Sequence, residues 1–194
     1  MCADLNALIS VAADLYAATG QPQAIAAAAM LRASAGRSTT RPPSRTPPHL
    51  ASALEAMGPG PLRSLLGIKT ARLPWSLTES NVPPAIAGRL ASTEIVGPDG
   101  LAMAEELRFG LFLQAPETLY PSHFHAAEEL YLTLSGTPVW QKDDAPFSAI
   151  PPGTLVCHAP YQRLAIRTAA DPLLAMWIWL GDLDFASYRF HDGT

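Results

Sequence analysis

The chain of 194 residues lacks most features that mark secreted, membrane-bound or nucleic-acid-binding proteins. It has 2 cysteines, Cys2 and Cys157, too few for a disulfide framework. No apolar run approaches the roughly 20 residues of a membrane-spanning helix, and no positive charge precedes Arg32, so we expect neither a membrane span nor a signal peptide. A net charge of −4 without any basic cluster argues against a nucleic-acid partner. These absences together predict a soluble cytoplasmic protein.

The first part of the chain has the apolar spacing of helices. Apolar residues recur at helical spacing from Leu5 to Tyr16, and a second helix is predicted to begin at Pro22. Residues 35–48 contain four prolines among Gly, Ser, Thr and Arg, which predicts a linker, and two further short helices should follow it. We therefore assign residues 1–88 to N-terminal helices and a Pro-rich linker that pack on the following domain.

From residue 89 onward, short alternating or apolar runs are separated by turn residues, which is typical of an all-β domain. About eight such runs are expected to pair as antiparallel strands. They lie at residues 93–96, 107–115, around 123, 139–141, 147–150, 154–158, 164–167 and 173–180. We predict a mainly β fold in which a jelly-roll barrel over residues 89–194 follows the short helices.

The most informative stretch holds His123, His125 and Glu129 in the order His-x-His-x3-Glu. Successive side chains of a β-strand point to opposite faces, so these odd-numbered residues are predicted to share one face. If the chain bends at residues 126–128, the prediction of a shared face holds only within the segment before the bend and within the segment after it. Burying two imidazoles and a carboxylate without partners is costly, and a divalent metal would supply the partner. The alternative interpretation is a set of hydrogen-bonded core histidines.

This spacing resembles the first motif of the cupin family, His-x-His-x(3,4)-Glu-x6-Gly, which closes here on Gly136. The second cupin motif, Pro-x-Gly followed by a histidine, matches Pro151, Gly153 and His158. The resemblance implies a cupin barrel with His158 as the fourth metal ligand. Three departures are the longer spacing before this histidine, Gln162 where the family pattern ends in Asn, and the lack of a Gly five residues before His123.

Three imidazoles and one carboxylate would leave two positions open on an octahedral metal. Such a shell suits Fe(II), Mn(II), Ni(II), Co(II) or Zn(II), and we expect no organic cofactor. Open positions predict Lewis-acid action on a substrate oxygen. The ligand set alone leaves dioxygenase, isomerase, decarboxylase and lyase chemistry open, because one fold hosts many functions. Cys157 precedes His158, so alternation points it away from the metal, and we interpret it as a small buried hydrophobe.

Two tyrosines flank the first motif. Tyr120 lies three residues before His123, and Tyr131 lies two residues after Glu129 on the same predicted face. A phenol has a pKa near ~10 that a nearby cation lowers, so either tyrosine is a candidate general base. The alternative for each is a hydroxyl hydrogen-bonded at the barrel mouth. We favour Tyr120 as the base, because the closeness of Tyr131 to Glu129 would engage it near the metal.

The run Tyr-Pro-Ser-His-Phe-His-Ala-Ala-Glu-Glu-Leu-Tyr-Leu-Thr-Leu-Ser-Gly, followed by Trp140, resembles the cupin-type dimethylsulfoniopropionate (DMSP) lyases, the DddQ type in particular. The resemblance is close over residues 120–140 and at His158. It implies a metal-dependent carbon–sulfur lyase that cleaves DMSP to dimethyl sulfide and acrylate by α-proton abstraction and β-elimination. It also implies metal ligands at His123, His125, Glu129 and His158 and catalytic tyrosines at Tyr120 and Tyr131.

The substrate implied by this resemblance is a small zwitterion with a sulfonium group. A soft cation is attracted to aromatic faces. Trp177 and Trp179 share one face of a late strand, and we assign Trp177, together with Tyr120, to substrate binding. The alternative for any of these tryptophans, including Trp140, is core packing.

Two other functions stay open. A cupin Fe(II) dioxygenase acting on a small thiol or diol acid would use the same ligands and would consume dioxygen. A ligand-sensing cupin without catalytic activity is a weaker alternative, because the N-terminal helices have no basic recognition face. Apart from the small-molecule substrate we expect no nucleic-acid or membrane partner, and either a monomer or a homodimer.

Overall fold

The N-terminal part of the chain folds into helices. The structure, a computed structural model, describes residues 2–42, 44–69, 73–78 and 82–191. Gly20, with a φ of 72°, ends the first helix in a left-handed conformation that glycine adopts without strain, and Pro22 occupies the first turn of the second. The helices are α1 (Cys2–Ala18), α2 (Pro22–Ala33), α3 (Leu50–Glu55) and α4 (Pro61–Lys69). The predicted linker separates α2 from α3.

The rest of the chain forms strands. They are β1 (Ser76–Leu77), β2 (Leu90–Val96), β3 (Leu107–Gln114), β4 (Leu119–Phe124), β5 (Glu128–Ser135), β6 (Val139–Lys142), β7 (Ser148–Ala149), β8 (Leu155–His158), β9 (Leu164–Arg167), β10 (Leu173–Leu180) and β11 (Arg189–Phe190). A six-stranded sheet has the order β1-β2-β3-β10-β5-β8, and a five-stranded sheet has the order β11-β4-β9-β6-β7. All the pairings between these strands are antiparallel. The prediction of a mainly β cupin barrel preceded by short helices is confirmed.

Two hydrophobic clusters hold this arrangement together. One joins the helices to the outer face of the six-stranded sheet, where Leu8 and Leu31 pack with Met176 and similar residues of β10 and β5. Tyr16 of α1 reaches this sheet and donates a hydrogen bond of 3.2 Å to the carbonyl oxygen of Leu130. The second cluster fills the space between the two sheets, and five of its thirteen buried side chains are aromatic. The helices therefore cover the outer face of the six-stranded sheet and do not fill the barrel interior.

The histidine motif does not lie on one strand. His123 is on β4 in the five-stranded sheet, and Glu129 is on β5 in the six-stranded sheet. Residues 125–127 cross from one sheet to the other, at the place where the sequence predicts a bend. The shared parity is still informative, because the inner faces of both sheets point into the same barrel interior.

Several element boundaries differ from expectation. The strand predicted at 93–96 begins at Leu90, because its first residues pair with the end of β3. The short strands β1 and β11 carry no alternation long enough to predict them, and β1 joins the barrel sheet from within the range assigned to helices and linker. The boundary between residues 88 and 89 stays a prediction. None of the helices in the described ranges is long and apolar enough to cross a membrane.

Candidate active site

A cavity of about 200 Å³ opens between the two sheets at one end of the barrel. Seven of its twelve lining residues are aromatic, and none of the twelve is a lysine or an arginine. The lining residues are Thr78, Ser92, Phe112, Tyr120, His123, His125, Glu129, Tyr131, Trp177, Trp179, Phe185 and Tyr188. The cavity thus contains three of the four predicted metal ligands, both predicted catalytic tyrosines and the predicted substrate-binding tryptophan.

His123 is fixed by its neighbours on β4. Its Nδ1 lies 2.8 Å from the carbonyl oxygen of Pro121. Because a carbonyl only accepts, Nδ1 carries the proton, and Nε2 keeps its lone pair. Burial lowers the pKa of His123 to about 3, so the ring is neutral at physiological pH. A neutral imidazole with one committed nitrogen is the form that binds metals.

His125 and Glu129 contact each other directly. The Nε2 atom of His125 lies 3.0 Å from Oε2 of Glu129, and both side chains are buried. The other carboxylate oxygen, Oε1, accepts a hydrogen bond of 2.8 Å from the indole nitrogen of Trp179. The indole ring also packs on His125, with 4.1 Å between ring centroids. Trp179 therefore holds both members of this pair.

His158 approaches the same region from β8. It lies directly opposite Glu129 in the pairing of β8 with β5, whereas the preceding Cys157 packs against the outer cluster, as alternation predicts. Nε2 of His158 accepts a hydrogen bond of 2.9 Å from the indole nitrogen of Trp140. Burial, followed by the nearby Lys142 ammonium, lowers the pKa of His158 to about 3. This histidine is also neutral, but it does not line the cavity.

Two observations bear on whether these residues fit a divalent metal. Among the described residues, no three His, Cys, Asp or Glu side chains are placed to hold an ion together. However, the Nδ1 atoms of His125 and His158 are buried without a hydrogen-bond partner in that part of the chain, which is costly. Imidazole and carboxylate donors suit Fe, Zn, Mn, Co and Ni. The donor types and the unpaired Nδ1 of His125 fit such a metal, whereas Nε2 of His158 accepts from Trp140 and its Nδ1 therefore carries the proton. The ligand assignment stays a prediction.

The tyrosines form a connected group at the cavity wall. The hydroxyl groups of Tyr120 and Tyr188 are 2.7 Å apart. Burial raises the pKa of Tyr120 above its usual value, and the hydrogen bond with Tyr188 partly opposes this shift. Burial, followed by the carboxylate of Glu129, raises the pKa of Tyr131 well above its usual value. A cation bound beside either phenol would act in the opposite direction, because it stabilises the phenolate.

Trp177 lines the cavity from the same strand, β10, as Trp179. Its ring covers Gly110 on β3, where an added Cβ would come within 3.0 Å of the indole Cε2 atom. Its indole nitrogen is buried and has no hydrogen-bond partner among the described residues. Trp177 and Trp179 meet edge to face, with ring centroids 6.1 Å apart. Trp177 therefore faces the cavity, as predicted, and its role in substrate binding stays a prediction.

Comparison with known proteins adds independent information. The sequence profile of the family described as dimethylsulfoniopropionate lyase matches residues 21–175 of the chain. The chain belongs to the DMSP lyase family. Its similarity extends to a chain from the crystal structures of the DMSP lyases RdDddP and RnDddQII, with a TM-score of 0.76, 26% identity and 98% coverage of both chains. The crystal structure of DMSP lyase DddQ from Ruegeria pomeroyi has a TM-score of 0.69, 25% identity, and coverage of 81% of this chain and 83% of that chain.

Curated relatives have the same family name. A Cereibacter sphaeroides protein provisionally named dimethylsulfoniopropionate lyase DddL is 36% identical over 148 residues, which are 73% of this chain and 62% of the relative. Dimethylsulfoniopropionate lyase DddQ of Ruegeria pomeroyi is 30% identical over 114 residues, which are 58% of this chain and 57% of the relative. The match therefore spans less than two thirds of the length of either relative. The resemblance noted in the sequence is confirmed at the level of the DMSP lyase family.

Tyr188 and Phe185 are among the cavity residues of this DMSP lyase family member that were not predicted from the sequence. Both lie on the segment after β10, which folds back over the cavity and ends in β11. Arg108 of β3 anchors this segment, since its Nε donates to the carbonyl oxygen of Leu183 at 3.0 Å and its guanidinium lies 4.5 Å from the Phe185 ring centroid. The local sequence signal for a strand facing the cavity was the alternation of aromatic residues at positions 188 and 190. Trp179 was noticed for its parity, but its hydrogen bond to a predicted ligand was not foreseen.

Proposed function

We propose that this cavity cleaves DMSP to dimethyl sulfide and acrylate with the help of a divalent transition metal. The observation that carries the proposal is an aromatic cavity without lysine or arginine that is built around a buried His–Glu pair. An aromatic wall without cationic side chains suits a positively charged ligand. Membership of the DMSP lyase family, and the names of its relatives, support the same substrate.

The metal would be held by His123, His125, Glu129 and His158. For Glu129 and His158 the support is their direct opposition on paired strands. For His123 and His158 it is also their neutral state, and for His125 it is its unpaired Nδ1 atom. When bound, a divalent cation supplies a Lewis acid that binds the substrate carboxylate and stabilises the negative charge developing next to it.

The sulfonium end of the substrate would lie against the aromatic wall. Trp177 and Trp179 offer ring faces within the cavity, and Phe112, stacked on Tyr120 with 5.7 Å between ring centroids, continues this surface. Attraction between one ring and a desolvated cation contributes about 0.5–2 kcal/mol, so two or three such contacts would orient the molecule. We assign Trp177 and Tyr120 to substrate binding on this basis.

The reaction itself needs one base. A tyrosinate, Tyr120 by preference or Tyr131, takes the proton from the carbon next to the carboxylate. The electron pair of this C–H bond becomes the carbon–carbon double bond of acrylate, and the pair of the breaking C–S bond leaves with dimethyl sulfide. The tyrosine regains its phenolate form when it releases the proton to water. The support for these roles is that both hydroxyl groups belong to the wall of the same cavity.

The proposal is tested with purified protein, DMSP and headspace detection of dimethyl sulfide, together with metal analysis of the same sample. Glu129→Gln should abolish product release and lower the metal content. Glu128→Gln is the matched control, because this neighbouring carboxylate is not part of the cavity wall and should leave both unchanged. Absence of dimethyl sulfide from the metal-loaded wild type, or dioxygen consumption with a thiol or diol acid instead, would refute the lyase proposal.

A further inference from the structure

Tyr188 is joined to two predicted active-site residues at once. Its ring stacks on the imidazole of His123, with 5.2 Å between centroids and 28° between planes. Tyr120 stacks on the same imidazole, with 4.1 Å between centroids and 21° between planes. The two tyrosine hydroxyls are 2.7 Å apart. The three side chains therefore form a closed cluster in which every member contacts the other two.

The backbone around Tyr188 is fixed independently of this cluster. The following strand pairs with β4, where Phe190 lies opposite His123. The preceding Ser187 accepts a hydrogen bond of 3.1 Å from the backbone nitrogen of Ala126. Tyr188 is thus held from both sides against the segment that carries His123 and leads to His125, and its position does not depend on its own hydroxyl.

The hydroxyl of Tyr188 is the polar contact that holds the hydroxyl of Tyr120. The ring of Tyr120 is already fixed between His123 and Phe112, at centroid distances of 4.1 Å and 5.7 Å. The ring contacts leave open what the Tyr120 oxygen bonds to. In the phenolate form proposed as the base this oxygen only accepts, so the hydroxyl of Tyr188 donates to it and restricts the directions from which it can take a proton. Because reacting groups must be aligned closely for efficient proton transfer, this restriction matters for rate more than for binding.

We propose that Tyr188 is a positioning residue of this site, whose hydroxyl orients the phenol oxygen of Tyr120 and whose ring orients the imidazole of His123. The proposal rests on the proposed lyase function in which Tyr120 faces the substrate. It assigns Tyr188 no contact with the reacting atoms. It also explains why the segment after β10 folds back over the cavity: without that segment the cluster would lack its third member.

The kinetic test uses Tyr188→Phe, which removes only the hydroxyl. In the metal-loaded protein, kcat should fall about 12- to 160-fold, the equivalent of one hydrogen bond to a charged group, while KM changes less than this. The matched control is Tyr161→Phe, because the Tyr161 side chain is 63% exposed and lies outside the cavity, and it should keep wild-type values. Wild-type kcat in Tyr188→Phe, or a change carried by KM alone, would overturn the role of the hydroxyl.

A second measurement does not depend on turnover. In the metal-free protein, NMR signals of the His123 imidazole, assigned with a His123→Gln variant, should shift strongly in Tyr188→Leu and little in Tyr188→Phe, because only leucine removes the ring. Unchanged signals in a folded Tyr188→Leu protein would overturn the ring's role. If the wild type releases no dimethyl sulfide, the proposed function fails, whereas the NMR result still decides whether Tyr188 orients His123.

Discussion

The hydrogen bond from Trp179 to Glu129 allows a clean measurement, because Trp177 provides an internal control on the same strand. Both tryptophans face the barrel interior, and their exposed fractions are 4% for Trp179 and 6% for Trp177. The indole nitrogen of Trp179 donates to Oε1 of Glu129 at 2.8 Å, whereas that of Trp177 has no partner within the described residues. Replacement by phenylalanine removes the same atoms at both positions but breaks a hydrogen bond at only one.

The magnitude follows from this difference. A hydrogen bond to a charged group contributes about 1.5–3 kcal/mol, and its loss leaves the carboxylate of Glu129 with one fewer donor in a buried site. The loss of ring volume is common to both variants and largely cancels. Trp179→Phe should therefore be less stable than Trp177→Phe by about 1.5–3 kcal/mol. Trp177→Phe also removes a buried unpaired donor, which stabilises that variant and increases the difference.

The assay is thermal unfolding of the metal-free variants in the same buffer at neutral pH. For a chain of this size, 1 kcal/mol corresponds to about 2–4 °C, so the two melting temperatures should differ by about 3–12 °C, with Trp179→Phe lower. Equal melting temperatures, or a lower value for Trp177→Phe, would show that the contact with Glu129 does not stabilise the fold.

Three further predictions concern ligands, base and packing. His125→Ala and Glu129→Ala should each lose bound metal and turnover while circular dichroism still shows a folded barrel; stoichiometric metal with normal turnover in both would contradict the ligand assignment. Tyr120→Phe should lower kcat by about 10² to 10⁴ with a smaller effect on KM, whereas Tyr131→Phe should change mainly KM or metal affinity, and wild-type rates of α-deuterium exchange in both would exclude a tyrosine base. Gly110→Ala should destabilise the fold strongly, because its Cβ would overlap a backbone carbonyl of β2 and crowd the indole above it; an unchanged melting temperature would contradict this close contact.

The barrel was predictable from local patterns. The strands 164–167 and 173–180 were predicted with the bounds that the structure has, because alternation and apolar runs are set by which side chains face a core. The two-residue strands β1 and β11 were not predictable, since pairing with a distant strand, and no propensity of their own, makes them extended. The same limit applies to Tyr188, which meets Tyr120 across 68 positions of sequence.

What the sequence by itself determined is the helical start, the β barrel, the family and the shared facing of His123 and Glu129, all of which follow from spacing or from short motifs. Only the tertiary structure decided that these two residues lie on opposite sheets, that Trp179 and Trp140 hold Glu129 and His158, and that Tyr188 closes the cluster around His123. The physical reason is that periodicity encodes which face of a strand a side chain occupies, whereas the partner across the barrel is selected by packing and hydrogen bonding among segments that are far apart in the chain.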